Sequence, residues 1–224
     1  MSCWALLALK PPHQGKSRLG GTLTRRQREN LVISMFEHVL ETLDTASEID
    51  QIAVITPVPE ILPRGVHALR DRGAGLNHAL DEGRDTLTAC GATEVLVLHA
   101  DLPWLSPAEV DSFVCHGRKT GLALAPDHHG SGTNAIFLSP PGTFSFRFGT
   151  SSFRRHLAEA RMRGLEPVVS APRGFAVDID EPADLQHYLD TRGGLLEPLL
   201  SPWSTTRWTA SPKHFSPLHV AEHG

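Results

Sequence analysis

Glu94-Val-Leu-Val-Leu-His-Ala-Asp-Leu-Pro-Trp-Leu-Ser-Pro-Ala-Glu109 is the stretch that decides the fold. Glu94–Leu98 is a short, valine- and leucine-rich run, the pattern of a central strand covered on both faces. Asp101 lies just past it, after His99 and Ala100. Ser106-Pro107-Ala108-Glu109 then offers a helix start, with a serine cap, proline at the first helical position and glutamate placed to close a capping box. A buried strand, a carboxylate-bearing loop and a helix, in that order, form the unit of a parallel sheet covered by helices.

The same alternation extends in both directions. Upstream, Cys3–Leu9 reads as a buried first strand and Thr24–Asp44 as a helix, with Val32, Phe36, Val39 and Leu43 on one face. Gln51–Thr56 is the next strand, Val66–Arg70 a weaker one, and Leu76–Cys90 a helix in which Gly83 costs about 1 kcal/mol relative to alanine. Downstream come strands at Leu122–Ala125 and Asn134–Leu138, a helix over Ser152–Arg163, short strands at Val168–Ser170 and Phe175–Val177, and a last helix opening near Pro182. The pattern predicts an α/β fold with a mostly parallel sheet over residues 1–192. From 193 to 224 the chain is rich in Pro, Ser, His and Trp without periodicity, and is expected to be an extended or partly disordered tail. Its Trp203 and Trp208 are candidates to dock on the domain or on a second subunit, which leaves a homodimer open.

The 224 residues suit one α/β domain, and 40% apolar content supplies a real core. A net charge of −4 gives no global basic field for nucleic acid. No apolar run reaches the roughly 18–20 residues of a membrane span. Residues 1–9 lack the basic leader of a secretory signal. Cys3, Cys90 and Cys115 fit neither a disulfide framework nor a zinc site, so the cytoplasm is expected. Cys115, placed in a helix, reads as core. His128 and His129 are adjacent and read as solvated, as do His214, His219 and His223.

Local charge is more informative. Lys10, Lys16, Arg18, Arg25, Arg26 and Arg28 precede the next acid, Glu29. Such a cluster in an acidic protein suits a small anion such as a phosphate chain, or else a solvated helix start. The loop Lys10-Pro-Pro-His-Gln-Gly-Lys-Ser-Arg18 follows the first strand, at the end of the sheet where ligands gather. Gly15-Lys16-Ser17 resembles the end of a phosphate-binding P-loop, but the required earlier glycine is Lys10, and Pro11 and Pro12 remove backbone donors.

Three carboxylates form the second candidate. Asp101 follows a buried strand, and Asp178 and Asp180 in Val-Asp-Ile-Asp share one face of extended backbone. A few hard oxygen ligands opposite an anionic substrate suit Mg²⁺. The alternatives are that Asp101 anchors a turn before Pro103 and Asp180 caps the helix near Pro182. A third candidate pairs Gly130-Ser-Gly-Thr-Asn134 with Phe148-Gly-Thr-Ser-Ser-Phe153, hydroxyls and open amides at a helix start.

Taken in order, Leu9-Lys10 with Gly15-Lys16-Ser17-Arg18-Leu19, Gly75-Leu76-Asn77, Ala100-Asp101-Leu102-Pro103, Ala125-Pro126-Asp127 with Gly132-Thr133-Asn134, Phe148-Gly149 with Ser152-Phe153, and Asp178-Ile179-Asp180 with Pro182-Ala183-Asp184-Leu185 are similar to the motifs of the 2-phospholactate guanylyltransferase family of coenzyme F-420 biosynthesis. The resemblance covers roughly residues 4–190. It implies a three-layer α/β/α sandwich, a nucleotidyltransferase variant of the glycosyltransferase-A-like fold. It also implies that GTP and a small phosphorylated carboxylic acid react to give a GMP–phospho-acid anhydride and pyrophosphate. The acid is 2-phospho-L-lactate, phosphoenolpyruvate or 3-phospho-D-glycerate, and the product passes to a downstream transferase.

Carried over by position, Lys10, Lys16, Ser17 and Arg18 would hold the GTP phosphates, with Lys16, Arg18 and Asp101 catalytic. Gly75 and Asn77 would contact the nucleoside, and Thr133, Gly149 and Ser152 would receive the acid's phosphate. Asp101, Asp178 and Asp180 would hold Mg²⁺. Two alternatives stay open: a guanylyl- or cytidylyltransferase for another acceptor, such as molybdopterin or a sugar phosphate, and a nucleotide-binding regulator without catalysis.

Overall fold

The structure, a computed structural model, describes residues 1–142 and 144–191, so the expected tail with Trp203 and Trp208 lies outside the described residues. The strands are β1 (Cys3–Ala8), β2 (Gln51–Thr56), β3 (His67–Arg70), β4 (Glu94–Leu98), β5 (Leu122–Pro126), β6 (Thr133–Leu138) and β7 (Val168–Val169). The helices are α1 (Arg25–Thr45), α2 (Leu76–Ala89), α3 (Pro107–Gly117), α4 (Ser152–Met162), α5 (Arg173–Ala176) and α6 (Pro182–Thr191). One sheet runs in the order β3-β2-β1-β4-β6-β5-β7. It is parallel except that β6 runs against both neighbours, β4 and β5.

The strands are apolar on both faces because both faces are covered. Ala5, Leu7, Val54 and Leu96 pack under α1 and α3 with Phe36, Val39 and Phe113. Leu6, Ile55, Val95 and Val97 pack on the opposite side with Leu80 and Leu87 of α2 and Ala160 of α4. The result is the expected three-layer α/β/α sandwich. None of the helices among the described residues is long and apolar enough to cross a membrane.

The helix starts follow their sequence signals. Ser106 and Glu109 close the capping box on α3, and Thr24 with Gln27 closes another on α1. After β1, the chain turns through residues 12–14 and 17–21 in short 3₁₀ segments. Leu19 and Leu23 there join Leu31, Met35, Ile179 and Leu185 in a separate small cluster. That cluster fastens the first loop to the segment before α6.

Two expectations need correction. Phe175–Val177 is not a strand: Arg173–Ala176 is the short helix α5. Gly174 explains it, since its amide donates to Glu109 Oε1 at 3.0 Å and an added Cβ would lie 2.3 Å from Glu109 Oε2 and 2.8 Å from Leu105 Cα. The backbone therefore docks closely on the start of α3, and Phe175 packs on Phe113 with ring centres 4.7 Å apart. Cys115 is exposed rather than core, because α3 buries Val110, Phe113, Val114 and Gly117 and turns residue 115 to the other face.

Candidate active site

Connections leave β1 on both sides, toward β2 and β3 and then back to β4, so the chain reverses its direction of travel between β1 and β4. In parallel sheets such a reversal leaves a crevice at the carboxyl ends of the strands. A cavity of about 310 Å³ lies there. Lys10, Gly15 and Lys16 from the loop after β1 line it, as do His99 and Asp101 after β4. Leu76, Leu80 and Phe148 supply apolar wall, and Asp180 completes the rim.

Gly15 lets the loop lie against α1, since an added Cβ would fall 2.6 Å from Val32 Cγ2. Lys16 follows in a left-handed conformation, φ 52° and ψ 40°, which costs a non-glycine residue energy that the surroundings must supply. Its nearly buried ammonium donates to Asp180 Oδ1 at 2.7 Å and to Asp101 Oδ2. Burial of Ile179, at 0% exposed, turns Asp178 and Asp180 to one side of the extended segment. Asp101, Asp178 and Asp180 each place one carboxylate oxygen within 4.8 Å of the others.

The charges have a consistent pattern. Burial opposes ionisation of Asp101, but the Lys16 ammonium and His99 outweigh it and hold the carboxyl below the usual carboxylate range. Burial likewise opposes the charge on Lys16, and Asp101 and Asp180 more than restore it, so it stays cationic. Asp178 goes the other way, pushed up by burial and by the negative charges of Asp101 and Asp180. Three hard oxygen donors with one carboxyl crowded by the other two form a donor set that fits a divalent cation such as Mg²⁺. The second reading of Asp180, as the cap of α6, does not hold. Asp184 accepts from the amides of Asp180 and Glu181 at 3.1 and 2.8 Å.

The other sequence candidates fall in distinct places. Arg18 is largely exposed, with Nη1 3.5 Å from Glu181 Oε1, and Ser17 opens the second 3₁₀ segment. Gly75 immediately precedes α2. Asn77 spends both ends of its amide on Phe148: Oδ1 accepts from the Phe148 amide at 2.6 Å and Nδ2 donates to the Phe148 carbonyl at 3.1 Å. Asn77, expected at the nucleoside, is thus tied to the residue that precedes Gly149, which is expected at the acid. Thr133 and Ser152 are buried, and Gly149 precedes α4 with φ 110°. The amide of Phe153 donates to Ser131 O at 3.1 Å, which joins the two Gly/Ser loops. Their amides are not all open, because the Asp127 carboxylate accepts from Ser131 and Gly132, both at 2.8 Å.

Some site residues had no assigned role in the sequence. Asn134 Nδ2 donates to the Phe175 carbonyl at 2.9 Å, so β6 holds α5 and with it the start of the Asp178–Asp180 segment. Phe144, Phe146 and Phe148 alternate into the core, a period of two that the Phe-Ser-Phe-Arg-Phe sequence carries. At the opposite ends of the strands, buried Glu94 is answered by Arg118, Nε to Oε1 at 2.9 Å and Nη2 to Oε2 at 2.8 Å, a charge pair remote from the cavity.

Comparison with known proteins gives the family and the fold. The chain matches the family described as guanylyl transferase CofC like over residues 3–191. A phosphoenolpyruvate guanylyltransferase from Sphaerobacter thermophilus is 42% identical over 190 residues, spanning 83% of this chain and 92% of that protein. One of the same name from Rubrobacter xylanophilus is 38% identical over 200 residues, 87% of this chain and 97% of that protein. Among solved structures, a candidate nucleotide-diphospho-sugar transferase from Desulfovibrio desulfuricans superposes with a TM-score of 0.75 at 18% identity, covering 89% of this chain and 94% of that one. A CMP:2-keto-3-deoxy-manno-octonic acid synthetase, solved with CTP, gives 0.60 at 12% identity over 86% and 99% of the two chains. These last two share the fold, and the family follows from the first three: the chain belongs to the CofC-like guanylyl transferases.

Proposed function

We propose that this guanylyltransferase joins GMP from GTP to the phosphate of phosphoenolpyruvate and releases pyrophosphate, as a step of coenzyme F-420 biosynthesis. The observation that carries the reading is the meeting of Lys16 with Asp101, Asp178 and Asp180 at the reversal point of the sheet. The name shared by relatives at 42% and 38% identity supports phosphoenolpyruvate over 2-phospho-L-lactate and 3-phospho-D-glycerate.

In this reading the acid's phosphate is already an anion at neutral pH, so attack on the α-phosphorus needs no general base and no covalent nucleophile. What it needs is alignment and relief of charge. Lys10, Lys16 and Arg18 bind the triphosphate and stabilise departing pyrophosphate. Leu76 and Leu80 give the nucleoside an apolar wall. Thr133, Gly149 and Ser152 take the acid's phosphate, tied by Asn77 and Phe148 to the nucleotide side. Asp101, Asp178 and Asp180 would hold Mg²⁺, which when bound supplies charge neutralisation to the reacting phosphates. The product is passed to a transferase that loads the acid onto the deazaflavin alcohol.

The test offers GTP, Mg²⁺ and each acid separately and follows pyrophosphate, with the transferase and deazaflavin acceptor added in parallel so that a short-lived anhydride is trapped and weighed. Release with phosphoenolpyruvate is expected. Release only with CTP, or with none of the three acids, would refute the reading.

A further inference from the structure

His156 in α4 is 0% exposed, and both of its ring nitrogens are engaged. The Arg147 amide lies 2.8 Å from Nε2. A backbone N–H can only donate, so Nε2 must be the bare nitrogen and the neutral ring carries its proton on Nδ1. Nδ1 is 2.9 Å from Thr133 Oγ1, so the ring donates to that hydroxyl oxygen. Burial, with Arg155 nearby, pushes the ring down to about 4, which keeps it neutral around pH 7. Phe148 packs edge-on at 4.9 Å and Phe144 face-on at 6.0 Å, holding the ring plane.

This arrangement has a chemical direction. With its oxygen receiving His156 Nδ1–H, the Thr133 hydroxyl has its own proton left to give, and among the described residues nothing accepts it. A buried donor without an acceptor calls for a ligand rich in acceptors. The ring also anchors the start of the neighbouring loop, since Nε2 holds the Arg147 amide, and one residue on Asn77 and Arg155 Nη2 hold the Phe148 carbonyl, both at 3.1 Å. The Phe148–Gly149 peptide is trans and planar, so its N–H points opposite to that pinned carbonyl. One buried imidazole therefore orders a hydroxyl donor on β6 and the loop that carries an amide donor before α4.

We propose that His156 is the positioning residue of the acid site, which makes the Thr133 hydroxyl an obligate donor to the acid's phosphate and sets the loop that presents the Gly149 amide. The inference rests on the reading above that Thr133, Gly149 and Ser152 receive that phosphate.

Two substitutions separate the functions of the ring. His156→Asn keeps a donor near the place of Nδ1, and His156→Gln keeps an acceptor near the place of Nε2. In the full-length protein, His156→Gln should raise the KM for phosphoenolpyruvate about 10- to 100-fold, the range for a hydrogen bond to a charged group, while the KM for GTP stays within about twofold. His156→Asn should retain most of the affinity for the acid. Thr133→Val should match His156→Gln, and the double variant should be no worse than Thr133→Val alone. Losses that multiply in the double variant, or equal rises in both KM values, overturn the role of His156 while leaving the acid site in place. An unchanged acid KM in Thr133→Val instead removes the acid-site assignment itself. A readout independent of turnover is the ¹⁵N NMR signature of the ring in the wild-type protein. Protonation at Nδ1 through pH 6–8 is expected, and an Nε2–H ring would overturn the proposal.

Discussion

Lys16→Met preserves the length and apolar stem of the side chain, along with its left-handed backbone, and removes only the charge. In the intact protein that ammonium lies 2.7 Å from Asp180 and also bonds Asp101, among three carboxylates within 4.8 Å of one another. Two like charges about 5 Å apart repel by about 3 kcal/mol at an effective dielectric of about 20. Lys16 offsets this by bonding two of the three carboxylates, with His99 adding to its effect on Asp101. Losing one partner of a buried pair costs about 3–5 kcal/mol, but Asp180 is 49% exposed and water screens part of the charge. The expected loss in chelator is therefore about 2–3 kcal/mol. Magnesium should return most of it, since a ligand at about 100 times its Kd adds about 2.7 kcal/mol. The assay is urea unfolding of both proteins, with chelator and with millimolar Mg²⁺. The variant should gain more from the metal than the wild type, whose carboxylates already face a cation. A variant as stable as wild type in chelator, or no more responsive to magnesium, would refute the reasoning.

Three further outcomes are expected. Asp178→Asn should abolish turnover and only moderately weaken GTP binding, as measured by pyrophosphate release beside calorimetry; unchanged turnover would remove Asp178 from the metal site. His156 titrates near 6.5 when unfolded and near about 4 when folded, so the unfolded chain takes up the proton first as pH falls. The stability present above pH 6.5 should then decline between about 6.5 and 4 by up to about 3 kcal/mol, and His156→Gln should flatten that window in urea melts taken at stepped pH. Asn134→Ala leaves the Phe175 carbonyl without its donor and should cost about 1–3 kcal/mol, with a measurable loss of Mn²⁺ binding by paramagnetic resonance as the Asp178–Asp180 segment loosens.

Much of this was legible because the signals were local. Strands buried on both faces are apolar throughout, the caps at Thr24 and Ser106 sit in short motifs, and Asp178 and Asp180 share a face through a simple alternation. Phe175–Val177 was misread because a three-residue apolar run has no period of its own. Its helical form is decided by Gly174 docking on Glu109, a contact with residues far away in sequence. Gly130–Asn134 looked like open amides because the carboxylate that occupies two of them belongs to Asp127, across the turn. His156 looked like one histidine among thirteen. Its significance lies in partners at positions 133 and 147, and only packing brings those together.

The bond from Lys16 to Asp180 spans 164 positions of the chain. A ribosome must therefore deliver nearly the whole domain before the acidic cluster can exist. The nascent chain carries its cationic loop and its parallel strands long before it carries the aspartates that complete the centre. Fragments cut short of Asp178 retain the loop but only one of the three carboxylates. In such a fragment the Lys16 ammonium keeps Asp101 but lacks Asp180, the second of its two carboxylate partners.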